Sequence, residues 1–171
     1  MHVTCFESPI GTLTLASTSK GLAYLGLPRA NGRGLAGWLK RFAPAARTRE
    51  DAAPNRAVIE QVLEFLRGER TQFDLELDLF GTPFQKRVYR ALRKIPYGAT
   101  RSYAEIAEAI DQAKAVRAVG SANGANPIAL VVPCHRVIAS GGKLGGYGGG
   151  LGLKARLLAM ERTRKTDGRL L

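Results

Sequence analysis

Cysteine and histidine are scarce in this chain of 171 residues, which contains only Cys5, Cys134, His2 and His135. Two cysteines so widely separated do not form the closely spaced pairs of a disulfide framework. We therefore expect free, reduced thiols and a cytoplasmic protein. The first half offers only Cys5 and His2 as thiolate and imidazole ligands. A four-ligand zinc site cannot be assembled from them, so we expect no metal.

Long apolar runs are also missing. No stretch approaches the roughly 18 consecutive apolar residues of a membrane helix, and the start of the chain lacks the basic segment and apolar run of a signal peptide. No dinucleotide-binding fingerprint is present either, so we expect no cofactor. The chain is nevertheless 45% hydrophobic, enough to bury a core. We expect one domain or two small ones, no membrane partner, and a monomer in solution.

Acidic residues are few in the second half. Residues 1–81 contain 10 Lys and Arg against 9 Asp and Glu, whereas residues 82–171 contain 16 against 5, so +11 of the net charge of +12 lies there. A basic surface attracts polyanions, and we interpret this half as a nucleic-acid-binding region. A solvated basic surface and an acidic membrane are the alternatives. The charge shift places the predicted domain boundary between 1–80 and 81–171.

The first half reads as a mixture of strands and helices. Turn residues separate three strand-like runs, "HVTCFES", "TLTLAST" and "LAYLGL". The segment "NRAVIEQVLEFLRG" has apolar residues on one helical face, and Gly68 can end that helix. The segment "QFDLELDL" alternates apolar and acidic residues, which is typical of a half-buried strand. We therefore predict an N-terminal αβ domain.

The second half reads as helical. Thr82 and Pro83 predict a helix start, and Ser102 with Glu105 has the spacing of a capping box. A further helix is predicted over "AKAVRAVGSANG", a glycine-rich loop follows over 141–152, and "LKARLLAMERTRK" is a basic terminal helix. Two short helices joined by a tight turn in a basic region favour a helix-turn-helix. An ordinary helical hairpin is the alternative.

Cys134 and His135 stand side by side after Pro133. A lone cysteine is most often a small buried hydrophobe, but a nearby base can convert the thiol into the reactive thiolate. Adjacent side chains of an extended segment point to opposite faces. His135 therefore serves Cys134 only if the backbone turns there or if a water bridges the two. Cysteine hydrolases usually take their catalytic histidine from a distant part of the chain. The only other histidine here is His2, so this sequence offers little support for a cysteine hydrolase.

The segments around Cys134 resemble the O6-alkylguanine-DNA alkyltransferase family over roughly residues 75–162. The matching blocks are "PCHRV" at 133–137, "GTPFQ" at 81–85, "IPYGATRSYAEIA" at 95–107, "RAVGSANGANP" at 117–127, "GGYGGG" at 145–150 and "LLAME" at 157–161. The resemblance implies a ribonuclease-H-like N-terminal αβ domain and a helical C-terminal domain with a DNA-binding helix-turn-helix. It also implies repair of double-stranded DNA: a guanine alkylated on O6, or a thymine alkylated on O4, is flipped out and its alkyl group moves to the protein's own cysteine.

The resemblance assigns catalytic roles to five residues of this chain. Cys134 corresponds to the alkyl acceptor, His135 to the base that deprotonates it through a water, and Glu161 to the group that holds the imidazole. Tyr103 resembles the tyrosine that donates its hydroxyl to the flipped base. Asn126 matches the asparagine that ties the helix-turn-helix to the active-site segment.

Five further residues correspond to DNA- or base-binding positions. Arg117 matches the arginine that fills the gap left by the flipped base, and Ser121 lies on the same helix. Val137 and Gly148 are expected to supply backbone groups to the base edge, and Lys154 is expected on the pocket rim. Each has a simpler explanation in packing or surface charge, and their joint spacing around Cys134 carries the assignment.

The expected reaction consumes the protein. A thioether on Cys134 has no carbonyl for water to attack, and the thiolate held in it is a poor leaving group. The alternative hypothesis is a lesion sensor or DNA-binding regulator without transfer. Relatives that only bind lesions lack the acceptor cysteine, so the presence of Cys134 argues against that alternative.

Overall fold

The chain forms two compact units. The computed structural model describes residues 1–28 and 34–166, the side chains of 165 and 166 excepted. The first unit comprises residues 1–80 and 127–129, and the second comprises 81–126 with the described residues from 130 onward. The division between 80 and 81 lies where the charge changes, and the segment 127–129 is an addition that the charge pattern did not indicate. No helix of the described ranges has both the length and the apolarity to cross a membrane.

A four-stranded sheet in the order β3-β2-β1-β4 forms the centre of the first unit. Its strands are β1 (His2–Phe6), β2 (Leu13–Thr18), β3 (Gly21–Gly26) and β4 (Arg49–Glu50). The first three pair antiparallel, and β4 joins β1 in parallel. Leu13 and Leu15, two positions apart on β2, are fully buried, as the two-residue period of a strand requires. The predicted mixture of strand and helix in this half is confirmed.

Helices α1 (Gly34–Phe42) and α2 (Arg56–Leu66) complete the regular structure of the first unit. Helix α2 buries Val58, Val62 and Phe65. The sequence predicted an apolar face of Val58, Ile59, Val62, Leu63 and Leu66, and the burial of Phe65 widens that face. Gly68 follows the helix with φ +73°, a left-handed conformation that glycine adopts at low cost.

The predicted strand over "QFDLELDL" is wrong. Its side chains do alternate between exposed and partly buried, but the segment makes only one isolated bridge, between Leu77 and Leu22 of β3. The reason is that a side chain, that of Gln61, competes for the backbone hydrogen-bonding groups of this segment. The side-chain amide of Gln61 bonds both the carbonyl and the N–H of Asp74, at 3.0 and 2.9 Å. Backbone groups held by a side chain are not available to a strand ladder.

The second unit is helical, as predicted, with one short parallel pair of strands. Its elements are α3 (Pro83–Leu92), β5 (Arg101–Ser102), α4 (Tyr103–Ala109), α5 (Val116–Gly124), β6 (Val137–Ile138) and α6 (Leu151–Thr166). Helix α5 begins at Val116, three residues later than the sequence predicted. The residues before it form a turn, in which the N–H of Ala115 donates to the carbonyl of Gln112 at 2.7 Å.

Two capping boxes fix the starts of α3 and α4. The Thr82 hydroxyl accepts from the Gln85 N–H at 3.2 Å, and Gln85 accepts from the Thr82 N–H at 2.9 Å. Ser102 and Glu105 make the same reciprocal pair at 3.1 and 2.6 Å. Each box satisfies backbone donors that the first helical turn leaves unpaired. Tyr103 is therefore held at the first position of α4.

The segment 127–129 returns to the first unit and extends its sheet by one bridge. The N–H of Leu25 in β3 donates to the carbonyl of Pro127 at 2.8 Å, and the N–H of Ala129 donates to the carbonyl of Leu25 at 3.1 Å. Ile128 between them is fully buried. The chain then re-enters the second unit and reaches Cys134 five residues after Ala129.

Candidate active site

The backbone turns at Cys134. Residues Cys134–Arg136 form one turn of 3-10 helix, closed by the N–H of Val137 on the carbonyl of Cys134. The N–H of Cys134 donates to the carbonyl of Val132 at 2.8 Å. Because the segment is not extended, neighbouring side chains are not forced to opposite faces. Cys134, His135 and Arg136 are 6%, 0% and 7% exposed, so all three side chains point into the unit.

His135 and Glu161 form a buried pair. Nε2 of the imidazole lies 2.7 Å from Oε1 of the carboxylate, and both side chains are fully buried. Burial lowers the pKa of His135 below its usual value, although the hydrogen bond and charge of Glu161 act in the opposite direction. The imidazole is therefore neutral at pH 7. A neutral imidazole held by a carboxylate can accept a proton.

Arg136 is a site residue for which no role was predicted. Its Nε lies 2.9 Å from Oε2 of Glu161, and its Nη2 lies 3.0 Å from Oε1. The remaining Nη1 donates to the carbonyl of Ile95 at 2.8 Å, and the guanidinium lies 5.6 Å from the ring centroid of Tyr97. Its place directly after the cysteine and histidine in "PCHRV" was the one available signal. The glutamate lies 25 residues away, so the pairing was not visible.

Glu161 accepts from three sources at once. In addition to His135 and Arg136, the backbone N–H of Gly98 donates to its Oε2 at 2.9 Å. Burial acts to raise the pKa of Glu161, but the hydrogen bonds and charges of His135 and Arg136 outweigh burial and hold the pKa below its usual value. The carboxylate is thus ionised, fully hydrogen-bonded and fixed in orientation.

The thiol of Cys134 needs a base. Burial raises its pKa above the usual value, opposed by a hydrogen bond from the Asn126 side chain and by the positive charge of Lys154. The resting side chain is therefore a neutral thiol. The neutral imidazole of His135 next in the chain and the neutral thiol are the two forms that general-base activation requires.

Tyr103 lies between two glycines. A Cβ on Gly145 would be 3.0 Å from the Tyr103 hydroxyl, and one on Gly120 would be 3.9 Å from its ring. Burial, and then the nearby Cys134, raise the pKa of Tyr103. Its hydroxyl therefore stays protonated and able to donate a hydrogen bond near the thiol of Cys134.

Two asparagines connect α5 to the cysteine segment. Asn126 donates from Nδ2 to the carbonyl of Val132 at 2.8 Å, in agreement with its expected linking role. Asn123, which the sequence did not indicate, donates more weakly to the carbonyl of Cys134, at 3.4 Å. Oδ1 of Asn123 is buried and has no hydrogen-bond partner in the structure. The two bonds hold the segment on both sides of Pro133.

Lys154 is not on a rim. Its side chain is fully buried, and Nζ donates to the carbonyls of Val137, Leu144 and Gly146. Three carbonyl acceptors compensate the buried ammonium, although burial still lowers the pKa of Lys154. The residue therefore ties the glycine-rich loop to the segment after Cys134, and its charge acts on the thiol from inside the unit.

The backbone of Val137 is already partly engaged. Its N–H bonds Cys134 and its carbonyl accepts from Lys154, so only one carbonyl lone pair is left for a base edge. Gly148, by contrast, has open space around the position of a Cβ. Arg117 and Ser121 are both exposed on α5. The structure thus gathers the residues predicted to be catalytic around Cys134 and leaves Arg117 and Ser121 on the surface.

Tyr147, like Arg136 and Asn123, is a site residue that was not predicted. Its ring lies 6.4 Å from that of His135, and its hydroxyl is buried without a hydrogen-bond partner in the structure. Burial, and then the proximity of Cys134 and Glu161, raise the pKa of Tyr147 well above its usual value. A neutral donor therefore stands on the loop side of the imidazole.

No cluster of metal ligands occurs in the described part of the chain, where no three His, Cys, Asp or Glu side chains are grouped as an ion would require. Cys5 is exposed on β1, 3.4 Å from the hydroxyl of Thr14.

Sequence comparison finds relatives over nearly the whole chain. The profile of the family "6-O-methylguanine DNA methyltransferase, DNA binding domain" matches residues 83–163. A methylated-DNA–protein-cysteine methyltransferase of Mycolicibacterium paratuberculosis is 51% identical over 157 residues, which are 91% of this chain and 89% of the relative. One of the same name from Methanosarcina acetivorans is 44% identical over 161 residues, 94% of this chain and 98% of the relative.

Structural comparison gives the same result. The crystal structure of Mycobacterium tuberculosis OGT in complex with DNA superposes with a TM-score of 0.83 at 46% identity, covering 96% of this chain and 94% of that one. The O6-methylguanine-DNA methyltransferase of the archaeon Pyrococcus kodakaraensis KOD1 has a TM-score of 0.62 at 27% identity, covering 93% and 98%.

Proposed function

The chain belongs to the methylated-DNA–protein-cysteine methyltransferase family, and on this premise we propose that Cys134 is the residue through which it repairs O6-alkylguanine in DNA. The reaction is a direct transfer. The bond between the alkyl carbon and O6 breaks, a bond between that carbon and Sγ of Cys134 forms, and unmodified guanine leaves. The observation that carries the proposal is the buried pair of His135 and Glu161, in which Nε2 lies 2.7 Å from Oε1. His135 directly follows Cys134 in the chain.

The proton path follows from the protonation states. His135 takes the thiol proton through a water, and the imidazolium that forms is stabilised by the ionised Glu161. Negative charge develops on the purine as the alkyl group departs, and the Tyr103 hydroxyl donates to it. The pKa directions support this division of roles, because burial leaves the imidazole neutral and the phenol protonated.

DNA binding is assigned to α4 and α5 as a helix-turn-helix, with α5 as the helix that enters a groove. Arg117 and Ser121 are exposed on α5, where they can reach DNA. The Arg117 side chain fills the gap that the extruded base leaves in the base stack. Extrusion of the base costs a few kcal/mol. The related Mycobacterium tuberculosis protein, 46% identical, was crystallised in complex with DNA. The first unit is assigned the ribonuclease-H-like topology of the family.

The protein acts once. The thioether on Cys134 offers neither a carbonyl to water nor a good leaving group, so the acceptor is not regenerated. Monomeric state, cytoplasmic location, absence of a cofactor and use of O4-alkylthymine stay predictions.

Mass spectrometry tests the assignment. After incubation with duplex DNA containing O6-methylguanine, the peptide that contains Cys134 is expected to gain one methylene group. The exposed Cys5 is an internal control and should keep its mass. Cys134→Ala should leave the protein mass unchanged while the lesion duplex still binds. A wild-type protein that binds the duplex but shows no added mass would instead support the lesion sensor.

A further inference from the structure

A basic groove lies between α3 and α4 of the second unit, with a volume of about 480 Å³. We name it the α3–α4 groove; the cations that line it are Arg87, Arg90, Lys94 and Arg101. Three of them follow one another at spacings of three and four residues, which places them on one face of α3 and the turn after it. None of the four belongs to the active site described above.

The groove has an excess of positive charge. Its two acidic lining residues are Glu105 and Asp111. Glu105 is already bonded to the N–H of Ser102 at 2.6 Å and lies 3.8 Å from Arg101. Within the described ranges, no carboxylate lies at ion-pair distance from Arg90 or Lys94, and both side chains are exposed. Two cations at the mouth therefore lack an internal counter-charge.

The position of the groove is fixed at both ends of α4. Arg87 donates to the carbonyl of Ile110, the residue that caps the end of the helix. Arg101 precedes Ser102 and Tyr103, so the other end of the groove lies next to the proposed base-binding tyrosine. Seven helical residues rise about 10 Å, and each strand of duplex DNA carries one phosphate per 3.4 Å of helix axis. The groove is thus long enough to face more than one phosphate of a strand.

We propose that the α3–α4 groove binds backbone phosphates of the DNA, in addition to those reached by α5. This rests on the proposed function. A line of cations fits a line of phosphates, and phosphate contacts position a protein on DNA without reading sequence. Among the described residues, no aromatic side chain lines the groove, so they offer a nucleobase no aromatic stacking surface there. The groove therefore binds the backbone and not an extruded base or a free nucleotide.

The salt dependence of DNA binding tests the proposal. The affinity for a duplex would be measured by fluorescence anisotropy between about 50 and 200 mM salt for the wild type and for Arg90→Gln/Lys94→Gln. Each lost phosphate contact makes the negative slope of log affinity against log salt shallower by about 0.9, so we expect a slope shallower by about 1.8 for the double variant. The charge-conserving Arg90→Lys/Lys94→Arg should keep the wild-type slope.

A matched control separates contact from general charge. Lys20→Gln/Arg93→Gln removes the same two charges from exposed positions that do not line the groove, and Arg93 is the direct neighbour of Lys94. We expect a smaller change of slope for this pair. Equal slopes for the groove and control variants would overturn the proposal. Mass spectrometry of the wild-type protein with lesion DNA reports separately on alkyl transfer, so failure of the proposed function would be recognised independently.

Discussion

Arg136 and Glu161 form a bidentate ion pair in the interior of the second unit. The distance from Nε to Oε2 is 2.9 Å, and that from Nη2 to Oε1 is 3.0 Å. The same carboxylate orients His135. The guanidinium therefore compensates the charge of Glu161 while leaving it close enough to hold the imidazole. Without this compensation, the thiolate and the departing purine would develop their negative charge near an unpaired carboxylate.

Removing one partner of this pair should destabilise the protein strongly. Arg136→Met leaves Glu161 buried with less compensation, and we expect a loss of about 3–5 kcal/mol in the free energy of unfolding. Denaturant unfolding measures it. The double variant Arg136→Met/Glu161→Leu removes both charges and should recover most of the loss, because replacing a whole buried pair by apolar residues is often neutral. A single variant as stable as the wild type would contradict the structural role.

The two asparagines should respond differently to the same substitution. Asn126→Leu removes a 2.8 Å hydrogen bond to Val132 and the bond that lowers the pKa of Cys134. It should cost about 1 kcal/mol of stability and slow alkyl transfer. Asn123→Leu removes only a 3.4 Å contact together with a buried acceptor that has no hydrogen-bond partner in the structure, so its stability should be unchanged or higher. Thermal unfolding of both variants compares them, and the reverse order would show that Asn123 is the stronger link.

Local features of the fold were predictable, because their signals lie within a few residues. The capping box at Ser102 follows from a spacing of three, and the helix start at Thr82 follows from the proline after it. The helical character of the second half and the strands of the first follow from apolar periodicity and turn residues. The family motifs brought Cys134, His135 and Glu161 to attention, and the structure places the last two in contact.

Features that depend on distant partners were not predictable. A lysine is usually exposed, and nothing near Lys154 in sequence reveals the three carbonyls that make its burial possible. The alternation in "QFDLELDL" indicated a strand, but Gln61, more than ten residues away, competes for the backbone of Asp74. Arg136 belongs to the motif around Cys134, but nothing in the sequence indicated that it pairs with Glu161.

Gly145→Ala should slow alkyl transfer through Tyr103. The new Cβ would lie 3.0 Å from the tyrosine hydroxyl, and the φ of +70° is unfavourable for alanine. We expect the single-turnover rate to fall, but by less than the roughly 10²-fold that complete loss of a transition-state donor costs. Gly146→Ala is the control, because nothing lies within 4 Å of its Cβ position. In a Tyr103→Phe background the Gly145 effect should shrink, and an undiminished effect there would point to loop strain instead.

The pH dependence of transfer should show a plateau through neutrality. Burial lowers the pKa of His135 below its usual value of about 6.5. The imidazole is therefore neutral at any pH above that value and stays neutral at a pH somewhat below it. Transfer from the free alkylated base to Cys134 should therefore stay constant from pH 8 down to about 6.5 and fall only at lower pH, as the imidazole is protonated. Burial also raises the pKa of the Cys134 thiol. Unassisted ionisation would consequently give a rate that rises about tenfold per pH unit near pH 7, and stopped-flow rates against pH distinguish the two.

The return of residues 127–129 to the first sheet sets an order for biosynthesis. While the chain emerges from the ribosome, the backbone groups of Leu25 that later bond Pro127 and Ala129 have no partner from this segment. At 5–20 residues per second, the interval between the emergence of β3 and of Ala129 is roughly 5–20 s. An open strand edge is a template for association with other chains. The N-terminal unit, although made first, is therefore completed late, and until Ala129 emerges the edge of its sheet at Leu25 is open to pairing with another chain.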